Sequence, residues 1–221
     1  MKPPLVVVGG HGSGEIAMAV FEAANEAREQ WQIAGFLSDI RSPGEYLGRH
    51  QVLGATEEVE DFAARGYLIH YTLHLNAKKK WERVAKLRSL RLPPEVHASA
   101  VHPRAHLDPS TELGPGVVVC PQAATSFGVR LGAFIHLYIN SFVGHDTVVN
   151  DCATLAAHSV LGARIRAGEG CHVGLNCSVR EDVTVGEYSI IGMGAVVLRD
   201  VAPFEIVGGN PAQVLGRLER T

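Results

Sequence analysis

Several things are scarce in this chain of 221 residues. Aromatic residues make up only 6% and tryptophans number two, so a large aromatic core is excluded. Twenty Lys and Arg stand against 23 Asp and Glu, a formal charge of −3, with no basic stripe to attract nucleic acid. No apolar run approaches membrane-spanning length. Met1-Lys2-Pro3-Pro4 leads straight into Leu5-Val6-Val7-Val8, followed by glycines rather than a cleavage site. Neither a signal peptide nor a membrane span is expected, and the chain reads as cytoplasmic. The four cysteines, at 120, 152, 171 and 177, form no CxxC pair, which favours reduced thiols over disulfides or zinc.

What is present divides into two patterns. Residues 1–98 alternate strand and helix signals. Leu5–Val8 ends in Gly9-Gly10-His11-Gly12-Ser13-Gly14, then Glu15–Gln30 reads as a helix and Ile33–Leu37 as a second strand ending at Ser38-Asp39. Helix signals over Glu57–Ala64 and Lys78–Leu90 flank a strand signal at Leu68–Tyr71. This order predicts a small parallel sheet of Rossmann-like character, closed by Leu92-Pro93-Pro94.

Residues 99–205 follow a period of six. Stepping by six from Val101 to Val197 gives 17 positions, of which fifteen are Leu, Ile or Val. The position four later is small or β-branched throughout, and glycine follows the aliphatic residue eight times. Six residues suit one flat side of a triangular coil, and 18 a full turn. Successive turns would then pair as parallel strands roughly 4.8 Å apart. The aliphatic residue would fill the interior, the small one would fit near the corner, and glycine would relieve the bend. Cys171 and Cys177 fall on inward positions, whereas Cys120 and Cys152 face out with no activating partner. Residues 206–221 form a tail.

On the prism wall, Gly144-His145-Asp146 puts an outward histidine beside a carboxylate. The 18-residue period stacks Asp146 under Arg164 and Arg164 under Asp182, so Arg164 could keep Asp146 ionised while Asp146 orients the imidazole. A plain surface ion ladder fits the same spacing. Asn140, His158 and Asn176 share another 18-residue column and read as a structural polar ladder. His136 and His172 lie two coils apart, which resembles the spacing of the metal histidines of γ-class carbonic anhydrases. That resemblance implies a further His at position 177, where this chain has Cys177, so no metal is expected. Gly10-His11-Gly12, between strand and helix, would place backbone N–H groups near a phosphate.

The hexad pattern resembles that of the hexapeptide-repeat acyltransferases. From Val101 onward and through Gly9–Gly12, the chain is similar to the bacterial sugar acetyltransferases of the NeuD/PglD type. That resemblance implies a left-handed parallel β-helix, a homotrimer with active sites between subunits, and acetyl-CoA in the groove between adjacent prisms. It implies an amino-sugar N-acetyltransferase acting on a nucleotide-linked sugar; a sialic-acid-type O-acetyltransferase and a non-catalytic trimeric binding module are the alternatives. His145 would be the general base and Asp146 its partner. Thr154 stands where the family often carries a second histidine near the acetyl carbonyl. Gly10, His11, Gly12 and Asp39 would bind the nucleotide sugar, with Ser38 replacing the first member of an acidic pair. Leu68–Asn76 departs from the family's glycine-bearing strand end. Ala163, Leu175, Met193 and Gly194 would flank the cofactor, Arg217 could reach a CoA phosphate, and Gly208–Ala212 matches the family's capping tail.

Overall fold

The computed structural model describes residues 2–72 and 79–219. The expectations placed on Met1, on 73–76 and on the Lys78 start of a helix lie outside that range.

The N-terminal unit is built on β1 (Pro4–Val8). Its four consecutive apolar residues are all buried, as a central parallel strand covered on both faces requires. Leu5 and Val7 point into one cluster and Val6 and Val8 into another, the two-residue alternation of a strand. β2 (Gln32–Leu37) and β5 (Leu68–Tyr71) pair with β1 in parallel. On the far side of β2 come β4 (His50–Gly54) and then the two-residue β3 (Tyr46–Leu47), in the order β3-β4-β2-β1-β5. Helix α1 runs Ser13–Ala27, starting two residues earlier and ending three earlier than the sequence pattern suggested. Its end is fixed by Asn25, whose Oδ1 accepts the N–H groups of Gln30 at 2.7 Å and Trp31 at 2.9 Å. The chain continues through α2 (Val59–Ala64) and α3 (Lys80–Ser89).

From Ala100 the backbone coils. From Glu112 to Val197 strands of two residues recur every six positions, and as far as Ser178 each pairs in parallel with the strand 18 residues later: His136 with Thr154, Phe142 with Val160, Val148 with Arg166. The result is a parallel β-helix of three faces. Between Val117 and Val207, 25 apolar residues from the hexad positions and the corner positions form a single cluster along its axis. Leu113 departs from the pattern at 39% exposure, since its strand ends its sheet. Among the described residues, eleven non-glycine residues have positive φ, and ten of them, from Gln122 to Tyr188 and including Asp146, sit in the corners.

The outward residues distinguish the faces. The first face carries Ala100, Val118, His136, Thr154, His172 and Ile190. The second carries Ala124, Phe142, Val160, Ser178 and Val196; the third carries Glu112, Arg130, Val148, Arg166 and Thr184. The N-terminal unit docks on the first face. Phe21 and Ala24 of α1 share a cluster with Ala100, Val118 and Tyr138, while Val84 and Leu87 of α3 pack on Cys152 and Tyr188 at an adjoining corner. The hairpin Glu205–Gly208 and Gln213–Arg217 extends the first face at its far end.

Candidate active site

A coil passes from the first face at His136–Leu137 to the second at Phe142–Val143 and the third at Val148–Val149. His145 and Asp146 occupy the corner between the second and third faces. In a triangle, that is the vertex the first face does not touch. His145 Nδ1 and Asp146 Oδ2 are 2.8 Å apart, with the side chains 35% and 54% exposed. Asp146 adopts φ 56°, a left-handed bend that lets neighbouring side chains meet. Its N–H donates to Phe127 O at 3.0 Å, and Arg164 N–H donates to His145 O at 2.8 Å, so coils above and below hold the pair. Among the described residues no group bonds His145 Nε2, leaving that nitrogen to take or give a proton.

Arg164 does not partner Asp146. Its Nε and Nη2 donate to Asp182 at 2.6 and 2.8 Å, and this contact holds the Asp182 carboxyl below its usual range. An 18-residue column offers each residue two equidistant neighbours, and Arg164 takes the later one. The other column is partly built: Asn140 Nδ2 lies 3.4 Å from His158 Nε2.

Ala163 sits one coil beyond His145 on the same vertex, half-buried. Leu175, Met193 and Gly194 lie instead at the corner between the first and second faces, where Met193 is 75% exposed. The expected cofactor residues therefore flank the second face from both edges. Arg217 is exposed on the terminal hairpin, with Nη2 donating to Pro203 O.

The remaining expected residues belong to the N-terminal unit or face it. Gly9 is needed for packing, since a Cβ there would lie 2.0 Å from Oγ1 of the buried Thr72, whereas a Cβ on Gly10 would meet chiefly the Cδ1 end of the exposed Ile40, at 2.2 Å. Gly12, at φ 79°, has open space around it. The start of α1 already holds a carboxylate, because Glu15 Oε2 accepts the Gly12 N–H at 3.3 Å and lies 3.1 Å from His11 Nδ1. Asp39 spends both oxygens on Thr56, on its N–H at 2.8 Å and its hydroxyl at 2.6 Å, which lowers the Asp39 pKa. Thr154 is buried on the first face, where its hydroxyl accepts from Lys80 Nζ at 2.6 Å, away from the His145 vertex.

The sequence did not reveal a polar cluster at this docking surface. Lys80 of α3 is buried, and desolvation brings its pKa down to about 8. His70 of β5 donates from Nδ1 to Ala98 O, and its Nε2 lies 3.3 Å from His136 Nε2. Burial lowers the pKa of His70 to about 4 and that of His136 well below its usual value. Cys120 and Cys152 do point out of the coil, but the docked unit buries both and pushes their thiols up to about 12, which removes them as nucleophiles. Among the described residues no group of His, Cys, Asp or Glu could hold a metal ion, and no helix is long and apolar enough to cross a membrane.

No family model matches the chain. It is 30% identical over 84 residues to the acyl-[acyl-carrier-protein]–UDP-N-acetylglucosamine O-acyltransferase of Verminephrobacter eiseniae, covering 38% of this chain and 30% of that protein. The chain thus spans about a third of the length of such relatives. Solved structures match over nearly their full length. The acetyltransferase domain of PglB from Neisseria gonorrhoeae, in complex with acetyl coenzyme A, gives a TM-score of 0.84 at 24% identity, covering 97% of this chain and 100% of that one. Perosamine N-acetyltransferase from Caulobacter crescentus, in complex with CoA and GDP-perosamine, gives 0.84 at 22% identity, covering 98% of each. Together, the six-residue repeat, the three-faced coil and these likenesses show that the chain shares the fold of these acetyltransferase structures.

Proposed function

We propose that the chain is an acetyl-CoA-dependent N-acetyltransferase of a nucleotide-linked amino sugar, with His145 as general base and Asp146 as its orienting partner. The observation that carries this reading is the 2.8 Å contact between His145 Nδ1 and Asp146 Oδ2 on an exposed vertex. A carboxylate on Nδ1 fixes the tautomer with its lone pair on Nε2 and stabilises the imidazolium that forms. The acceptor amine attacks the thioester carbonyl as His145 Nε2 takes its proton. Backbone N–H groups of a neighbouring coil meet the oxyanion, which collapses to expel CoA thiolate, and the imidazolium returns the proton to sulfur. No metal is required.

The resemblance to complexes holding acetyl-CoA and GDP-perosamine supports the substrate class. The prism is read as left-handed, the N-terminal unit as Rossmann-like, and the enzyme as a cytoplasmic homotrimer. Assembly has a geometric argument of its own. The N-terminal unit covers the first face of its prism, and His145 stands on the vertex opposite. A sugar nucleotide held near Gly10, His11 and Gly12 must then meet the His145 of another copy. In that arrangement Ala163 beside one His145, and Leu175, Met193 and Gly194 from the next prism, would line the acetyl-CoA groove. Arg217 remains a further candidate for its phosphates. Nucleotide phosphates at the α1 terminus require Glu15 to move off Gly12 N–H. Asp39 is left holding Thr56, and Thr154 has no part in the step.

The test is CoA release from acetyl-CoA across matched nucleotide-linked 4-amino and hydroxy sugars, with His145→Ala as control. Amino sugars should turn over, and the variant should lose on the order of a hundredfold to ten-thousandfold in kcat. Retained turnover in the variant sinks the mechanism. Turnover of hydroxy sugars alone makes the enzyme an O-acetyltransferase, and no turnover with either class leaves a binding module.

A further inference from the structure

We propose that Phe127 is a positioning residue for the imidazole of His145, an inference that rests on the role given to His145 above. Phe127 lies one coil before His145 on the same vertex, and the two rings stack with centroids 4.8 Å apart and planes 9° from parallel. The phenyl ring is 55% exposed and belongs to none of the hydrophobic clusters, so the core does not explain it. A lone exposed apolar residue is ordinary. A ring held flat against the candidate base is more specific.

The geometry explains what the stack adds. With the ring tethered at Cβ, the bond from Nδ1 to Asp146 still leaves the imidazole free to tip about the line joining those two points. A flat surface against one face removes that freedom and sets the direction of Nε2. The same residue also steadies the partner, because Phe127 O accepts the Asp146 N–H at 3.0 Å. Phe127 thus holds both members of the pair, one through its ring and one through its backbone. Only the ring contact is open to substitution.

Two measurements test this. In the full-length protein with labelled histidine, the ring protons of His145 should show an upfield ring-current shift, lost in Phe127→Leu and kept in Phe127→Tyr. In kinetics, Phe127→Leu should lower kcat on the order of tenfold to a hundredfold. KM for acetyl-CoA and sugar should stay within about twofold, and the mass of the assembly should not change. Phe127→Tyr should restore the rate. Placed on His145→Ala, Phe127→Leu should cost nothing further, because the group it positions is gone. An unchanged kcat, a loss confined to KM, or an additive loss in the double variant overturns the proposal. If the unaltered protein releases no CoA with any acceptor, the enzymatic reading fails instead, and the ring-current shift still decides whether the stack exists.

Discussion

His145 and Asp146 are adjacent in the chain, and adjacent side chains on an extended strand point apart. They meet here because Asp146 takes a left-handed corner conformation at φ 56°. The coil below leaves room for it. Gly128 has φ 67°, and a Cβ there would stand 2.7 Å from Asp146 Oδ1. Gly128→Ala should push that carboxylate aside, lowering kcat on the order of tenfold while costing roughly 1 kcal/mol of stability from backbone strain. Steady-state kinetics beside urea unfolding would check it, and an unchanged kcat would show that the carboxylate position does not matter. The pair was legible in the sequence because the hexad phase set His145 outward. The direction of Arg164 was not legible, since equal spacing cannot choose between Asp146 and Asp182. The Phe127 stack was readable in principle as an 18-residue column, but a column says nothing about ring planes.

Helix α3 and strand β5 show where element-level reading stopped. The hexad phase marks positions 136, 154 and 172 as outward and carries no sign of what covers them. The docking of α3 and β5 on the first face converts those positions into an interior, a tertiary event with no local signal. Arg88 of α3 pairs with Glu169, which also accepts from the Tyr188 hydroxyl, so the helix is tied to the prism at both ends. The buried histidines give this docking a pH dependence. His70 falls to about 4, His172 to about 4, and His136 well below 6.5, each because burial disfavours the charged ring. The unfolded chain binds these protons near 6.5 and the folded one does not, so their contribution is intact above pH 6.5 and is lost as pH falls toward 4. For His70 alone the loss amounts to about 3 kcal/mol across that window. Lys80 runs at higher pH by the same rule: stability should rise from about pH 8 to 10.5, where only the unfolded lysine stays protonated. Urea midpoints between pH 7 and 4.5 should fall steeply, and His136→Gln should flatten that fall. An equal slope in the variant would show that the acid sensitivity arises elsewhere.

The whole prism presents three faces with different fates. The first is covered by the chain's own N-terminal unit, and the third carries Glu112, Arg130 and Arg166, suited to water. The second bears Ala124, Phe142, Val160 and Val196, with Phe142 and Val160 each 39% exposed among the described residues. A row of apolar side chains on a rigid flat sheet suits contact with another copy in the proposed assembly, and this face runs between the two corners that hold the expected cofactor residues. If two copies build each site, assembly and catalysis should fail together. Phe142→Asp with Val160→Asp should leave the single chain folded, because both side chains are partly solvated and lie outside the axial core. The same change places two carboxylates into any apolar contact between prisms, at a cost of several kcal/mol per interface. Light scattering should then report a monomer with near-normal thermal unfolding of the coil, and CoA release should disappear although His145, Asp146 and Phe127 are untouched. A monomer that keeps its turnover would show that one chain can bring its own acceptor to its own His145, and the argument from opposite sides of the prism would be wrong. An assembly that survives both aspartates would mean that another face joins the copies.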